Sequence, residues 1–117
     1  LGLGDNAKAA LITRGISETS ELIKKAGGIY TSAFGLAGIG DMSLTCSGPH
    51  SRNMAYGMKI VNNNNEPPKE LVEGLNAIHA TIALSEKLEI ELPIMTSIKK
   101  ILNRESDIDE IIKKLHL

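Results

Sequence analysis

No stretch of this chain shows a convincing strand alternation of apolar and polar residues with a period of two. Its apolar residues recur mostly at helical spacing instead: Leu71, Leu75, Ile78, Ile82 and Leu88, then Ile94, Ile98, Ile101 and Leu102, then Ile108, Ile111, Ile112 and Leu115. That spacing collects apolar side chains on one face of a helix. Breakers divide the pattern into pieces. Asp5 or Asn6 can cap a first helix that runs to about Lys25, where Gly27-Gly28 stops it. Thr31 and Ser32 offer caps for a short turn, and a helix from about Ile39 to Cys46 follows a glycine bend. Another helix spans Arg52 to about Val61, with Ala55, Met58 and Val61 on its apolar face. The run Asn62 to Asn65 ahead of Glu66-Pro67-Pro68 reads as a loop. A helix from near Lys69 to Leu88 comes next. Pro93 then opens one at the first-turn position proline favours. Ser106 or Asp107 caps the last, with Asp109 three residues past Ser106 in a shortened capping box. Residues 1–117 thus read as a single all-helical domain, a bundle of roughly six unequal helices.

Composition narrows the function classes. A net charge of −1 gives no basic field for DNA or an anionic membrane, and 3% aromatic residues leave no base-stacking platform. The single cysteine, Cys46, excludes an internal disulfide and fits a reducing, cytoplasmic setting. No apolar run reaches membrane-spanning length. The opening Leu1-Gly2-Leu3-Gly4 has neither Met nor a polar lead-in, and the expectation is a piece of a longer protein.

Polar chemistry concentrates between Gly38 and Asn53, GIGDMSLTCSGPHSRN. Asp41 and Thr45 stand four apart, so on a helix they share a face and can both bond a polyol. The plain alternative is an Asp placed favourably at a helix dipole. Ser51-Arg52-Asn53 follows the Gly48-Pro49 break at the start of a helical pattern. Backbone N–H groups and a guanidinium fork there can grip an anion; the plain alternative is an N-cap beside an exposed Arg. Cys46 reads as a small buried hydrophobe rather than a nucleophile, and His50 as an exposed turn residue. His50 has no partner at metal-ligand spacing, and His79 reads as a packed or half-exposed residue rather than a ligand, so no metal site is expected. Lys8 reads as a surface charge. Thr13-Arg14 lies on a largely apolar helix, where a buried Arg would need a carboxylate across the bundle or an anion. The glycines of Gly35-Leu36-Ala37-Gly38-Ile39-Gly40 do not make a dinucleotide loop, since no strand precedes them.

Three blocks taken together carry a family resemblance. They are Gly4-Asp5-Asn6-Ala7-Lys8-Ala9-Ala10-Leu11-Ile12-Thr13-Arg14-Gly15, then Gly35 to Asp41 with Thr45-Cys46, then Ser51-Arg52-Asn53. In this order and spacing they resemble the C-terminal domain of bacterial-type NAD(P)-dependent sn-glycerol-3-phosphate dehydrogenase. Val72-Glu73-Gly74 and Glu91-Leu92-Pro93-Ile94 fit the later part of the same domain. The resemblance implies a helical substrate domain similar to the C-terminal domain of 6-phosphogluconate dehydrogenase. Its partner would be an N-terminal Rossmann domain that holds NAD or NADP, and a homodimer is a further expectation. The implied reaction is hydride transfer between dihydroxyacetone phosphate and glycerol 3-phosphate in the cytoplasm, for phospholipid synthesis.

Carried over position by position, the family's substrate contacts fall on Asp41, Ser51, Arg52 and Asn53, with Thr45 beside Asp41. Its cofactor contacts fall on Arg52, Leu71 and Glu73, although family members carry Val where Leu71 stands. The family's general acid/base lysine belongs to a Lys-Asn pair about a dozen residues before Gly4, upstream of Leu1, and Lys8 does not take its role. No catalytic residue is therefore expected within the chain, which by itself should show no dehydrogenase activity. The alternatives are the helical domain of another 6-phosphogluconate or hydroxyacid dehydrogenase relative, or a standalone helical interaction domain.

Overall fold

The computed structural model describes residues 2–29, 31, 35, 38, 40, 46, 51–62 and 73–117. Among these the protein is all-helical. Five α-helices follow one another: α1 (Asp5–Lys25), α2 (Arg52–Val61), α3 (Glu73–Lys87), α4 (Pro93–Leu102) and α5 (Ile108–Lys114). The helix expected over 39–46 and the first turn of the one expected from Lys69 fall largely outside the described residues.

The first helix is capped by neither expected residue, Asp5 or Asn6, but by the residue before them. Gly4 is the N-cap, at φ 92°, and gives no side-chain bond, while Asp5 sits inside the first turn beside the positive end of the dipole. At the other end Ala26 closes the helix, and the chain turns left-handed at Gly27, φ 89°. There the Gly27 N–H donates to Lys24 O at 3.1 Å and the Gly28 N–H to Ile23 O at 2.8 Å. This pair of crossed bonds is the Schellman ending, which satisfies two carbonyls that the helix leaves over. Gly27 is needed because a Cβ at that φ would crowd the following carbonyl.

α4 packs against both α1 and α3 and so sits between them. Ile16 of α1, Ile78 and Ile82 of α3, Leu92 just before α4 and Ile111 of α5 form the buried apolar core. Each contributes about 1.5–3 kcal/mol through water excluded from its side chain. Ser20, Ser85 and Ser97, one on each of α1, α3 and α4, are buried with them. Ser97 Oγ donates to Pro93 O and Ser85 Oγ to Ile82 O, each at 2.7 Å. A hydroxyl that bonds its own helix's carbonyl can be buried at little cost, and its small volume lets neighbouring helices approach.

The start of α4 shows how the fold is stitched. Leu92 is its N-cap and offers no side-chain acceptor, and Pro93 has no N–H to satisfy. Glu18 of α1 supplies what is missing. Its two carboxylate oxygens accept the N–H of Ile94 at 2.6 Å and, more loosely, that of Met95 at 3.4 Å. Thr96 N–H then closes on Leu92 O at 2.9 Å, within the helix. Every donor of the first turn is accounted for, two of them by a residue 76 or 77 positions away.

The far end of the chain is tied to α1 as well. The guanidinium Nη1 of Arg14 donates to the carbonyl of Leu115, the C-cap of α5. Arg14 is exposed, so the expected buried arginine with a carboxylate or anion gives way to a cation at the negative end of a helix dipole. Asp107, not Ser106, caps α5, accepting the N–H of Ile108 at 2.7 Å. Two expected core positions turn outward, Met58 at 45% exposure and Ile98 at 39%, and His79 is exposed rather than packed or half-exposed.

Candidate functional site

Ser51 begins α2 from extended backbone, φ −124° and ψ 157°, which aims its side chain back over the first turn. Its Oγ accepts the N–H of Met54 at 3.1 Å. The expected cap is therefore real, and it settles the helix start that holds Arg52 and Asn53. Arg52 is the first helical residue, and its side chain is exposed.

Asn53 makes a contact that reaches far along the chain. Its Oδ1 accepts the backbone N–H of Gly74, at the start of α3, at 3.0 Å. The amide orientation is chemically fixed, because a backbone N–H can only donate and so must face the oxygen. Two stretches singled out separately in the sequence, Ser51-Arg52-Asn53 and Val72-Glu73-Gly74, thereby meet through one hydrogen bond. Space at Gly74 is tight. A Cβ built there would stand 2.9 Å from Asn53 Oδ1 and 3.0 Å from its Cγ.

The bonding pattern decides what the locus presents. Ser51 already spends a lone pair on Met54 N–H, and Asn53 spends its oxygen on Gly74 N–H. The donors left over are the Ser51 O–H, the Asn53 Nδ2 protons and the backbone N–H of Asn53, which lies too early in α2 for an intrahelical acceptor. With the Arg52 charge and the positive end of the α2 dipole, this set suits an anion with several oxygens. It is chemically wrong for a metal ion, and among the described residues no group of three His, Cys, Asp or Glu could hold one.

Of the other expected site residues, Asp41, Thr45 and Leu71 lie outside the described residues. Glu73 stands at the start of α3, next to the Gly74 contact. Cys46 is half-buried. A hollow of about 460 Å³ between the helices has a lining that includes Asn53 and Gly74 but is otherwise largely apolar, with Tyr56, Ile60, Ile78 and Ile112 among its walls. Apolar walls cannot replace the hydration of a phosphorylated polyol, so the polar locus at the start of α2 is the better candidate. Sequence reading missed the link between Asn53 and Gly74; the one signal for it is a glycine placed where alanine would make the better helix. No helix among the described residues is long and apolar enough to cross a membrane.

Comparison with known proteins bears on the same blocks. Glycerol-3-phosphate dehydrogenase (NAD(P)+) of Agathobacter rectalis is 40% identical over 122 residues, covering 100% of this chain and 36% of that protein. The protein of that name from Staphylococcus saprophyticus is 38% identical over 98% of the chain and 36% of its own length. A second such enzyme of Lactobacillus delbrueckii is 41% identical over 100% of the chain and 36% of its own length. The chain thus spans about a third of the length of these relatives. Residues 1–113 match the family described as NAD-dependent glycerol-3-phosphate dehydrogenase C-terminus, and the chain belongs to that family.

Proposed function

We propose that this chain is the substrate-holding part of an NAD(P)-dependent glycerol-3-phosphate dehydrogenase, acting with a Rossmann domain in the cytoplasm. The reaction is hydride transfer between NAD(P)H and dihydroxyacetone phosphate, which gives sn-glycerol 3-phosphate for phospholipid synthesis. The observation that carries the reading is the donor-rich locus at the start of α2. There Ser51 and Asn53 have accepting oxygens engaged by backbone N–H groups, and Arg52 stands between them. A phosphate monoester is the complement of such a set.

In this reading Ser51, Arg52 and Asn53 hold the phosphate end, and Asp41 with Thr45 bonds the hydroxyl end. Fixing both ends orients the carbonyl carbon for a transfer that needs close alignment. Arg52, Leu71 and Glu73 contribute the cofactor contacts from this side, and the exposed guanidinium of Arg52 suits an anionic dinucleotide. When bound, the nicotinamide supplies the hydride. Every contact made by this chain is one of binding and orientation.

The test is NADH- or NADPH-dependent reduction of dihydroxyacetone phosphate by the protein expressed from its complete reading frame. Arg52→Ala is expected to lower kcat/KM by about 100-fold or more, with Arg52→Lys between it and wild type, since an ammonium keeps the charge but loses the fork. An Arg52→Ala enzyme with wild-type kcat/KM would overturn the assignment.

A further inference from the structure

We propose that Gly74 is a positioning residue for ligand binding, acting through Asn53. The proposal rests on the assignment of Asn53 to the phosphate site. By accepting the Gly74 N–H through Oδ1 at 3.0 Å, the carboxamide is biased toward one orientation. Its Nδ2 protons then favour that orientation, as donors, before any ligand arrives. A side chain left to rotate would present its oxygen to an anion half the time and would lose entropy on binding; a pre-oriented donor avoids both penalties.

The glycine is what makes this approach possible. Gly74 lies within α3, and its φ is not in the left-handed region, so no backbone conformation demands glycine there. Alanine is the better helix former at such a position. The reason for glycine is space: a Cβ would meet Oδ1, Cγ and Nδ2 of Asn53 at 2.9, 3.0 and 3.1 Å, so the exposed carboxamide would have to shift. Gly74→Ala therefore pushes the carboxamide away without touching the ligand. The same hydrogen bond fixes the start of α3, where Glu73 is a cofactor contact in the proposed function, against the start of α2, which holds the substrate. One side-chain amide thus sets the spacing between the two ligand sites.

The experiment is a double-mutant cycle in the protein from its complete reading frame. Glycerol 3-phosphate is titrated into wild type, Gly74→Ala, Asn53→Ala and the double variant, and the Asn53 side-chain amide is followed by 15N NMR in the forms that retain it. Glycerol 3-phosphate is expected to shift the Nδ2 resonance in wild type. Gly74→Ala and Asn53→Ala are each expected to weaken binding about tenfold or more. Adding Gly74→Ala to Asn53→Ala, where the clashing amide is gone, is expected to change affinity less than twofold. In turnover both single variants raise KM for dihydroxyacetone phosphate more than they lower kcat, a split that general loss of structure would not give. Wild-type affinity in Gly74→Ala, or independent effects that multiply in the double variant, would overturn the positioning role and leave the proposed function standing. Failure of wild type to bind glycerol 3-phosphate would overturn both. Circular dichroism of Asn53→Ala and of the double variant separates unfolding from lost positioning, because neither contains the clash.

Discussion

Glu18 lies in the middle of α1, yet the amides it bonds belong to α4. Replacing it with alanine leaves the N–H groups of Ile94 and Met95 facing a part-buried space with no acceptor. Glu18→Ala is expected to cost about 2–3 kcal/mol in urea unfolding, more than a surface glutamate and more than one ordinary cap. Glu18→Gln keeps one accepting oxygen and should cost about 1 kcal/mol. Nothing in the sequence marks this residue, because a glutamate on a long helix has the look of a solvated charge. Ser51 and Asp107 were legible for the opposite reason: each caps the helix that immediately follows it, so the information is local. Arg14 misled because its helix carries many apolar neighbours, while its partner is a backbone carbonyl, which has no signature in sequence.

Helix ends form a pattern of their own. α3, α4 and α5 finish with the same crossed pair of bonds as α1, but the left-handed residue is Glu89 at φ 56°, Arg104 at 57° and His116 at 55°. Only α1 places glycine there. The Cβ strain of that conformation costs about 1 kcal/mol or more in a residue other than glycine, partly offset by the greater freedom of glycine when unfolded. Glu89→Gly and Arg104→Gly are each expected to raise stability by about 0.5–1 kcal/mol, read as a shift in urea midpoint without change in slope. Gly27 announced the end of α1 in the sequence; the other three endings did not, because Glu, Arg and His are common within helices. Helix faces were read well at Ile78, Ile82 and Ile111, where isoleucine carries them, although Ile98 turns outward. They were read less well where serine does. Ser97 at 3% exposure is buried more deeply than neighbouring Ile98, because its hydroxyl is satisfied within its own helix and its size suits a close helix crossing.

Taken as a whole, the described part of the molecule has a thin interior. Five apolar side chains fall among the buried residues, and none of those described is excluded from solvent entirely. Leu92 is the most enclosed of the five, at 4% exposure, and its carbonyl also receives the first intrahelical bond of α4. Leu92→Ala is expected to cost about 2–4 kcal/mol, a large share of what a domain this size commands, and to lower the thermal midpoint by 10 °C or more on the scale of about 4–8 °C per kcal/mol. The all-helical class was legible from periodicity, and the grouping of Ser51, Arg52 and Asn53 from their order along the chain. The meeting of residues 53 and 74 was not, since it depends on how α2 and α3 are set against each other.

The attachment of Glu18 to α4 also bears on the order in which the chain can assemble. A ten-residue helix has little stability on its own, and the acceptor for its first turn is held by a segment made long before it. Until the intervening chain has closed, α4 gains nothing from that acceptor, and the entropy of bringing the two together must be met first. The later helix is thus a product of tertiary closure rather than a seed for it, and α1 is the template on which the second half of the domain is read out.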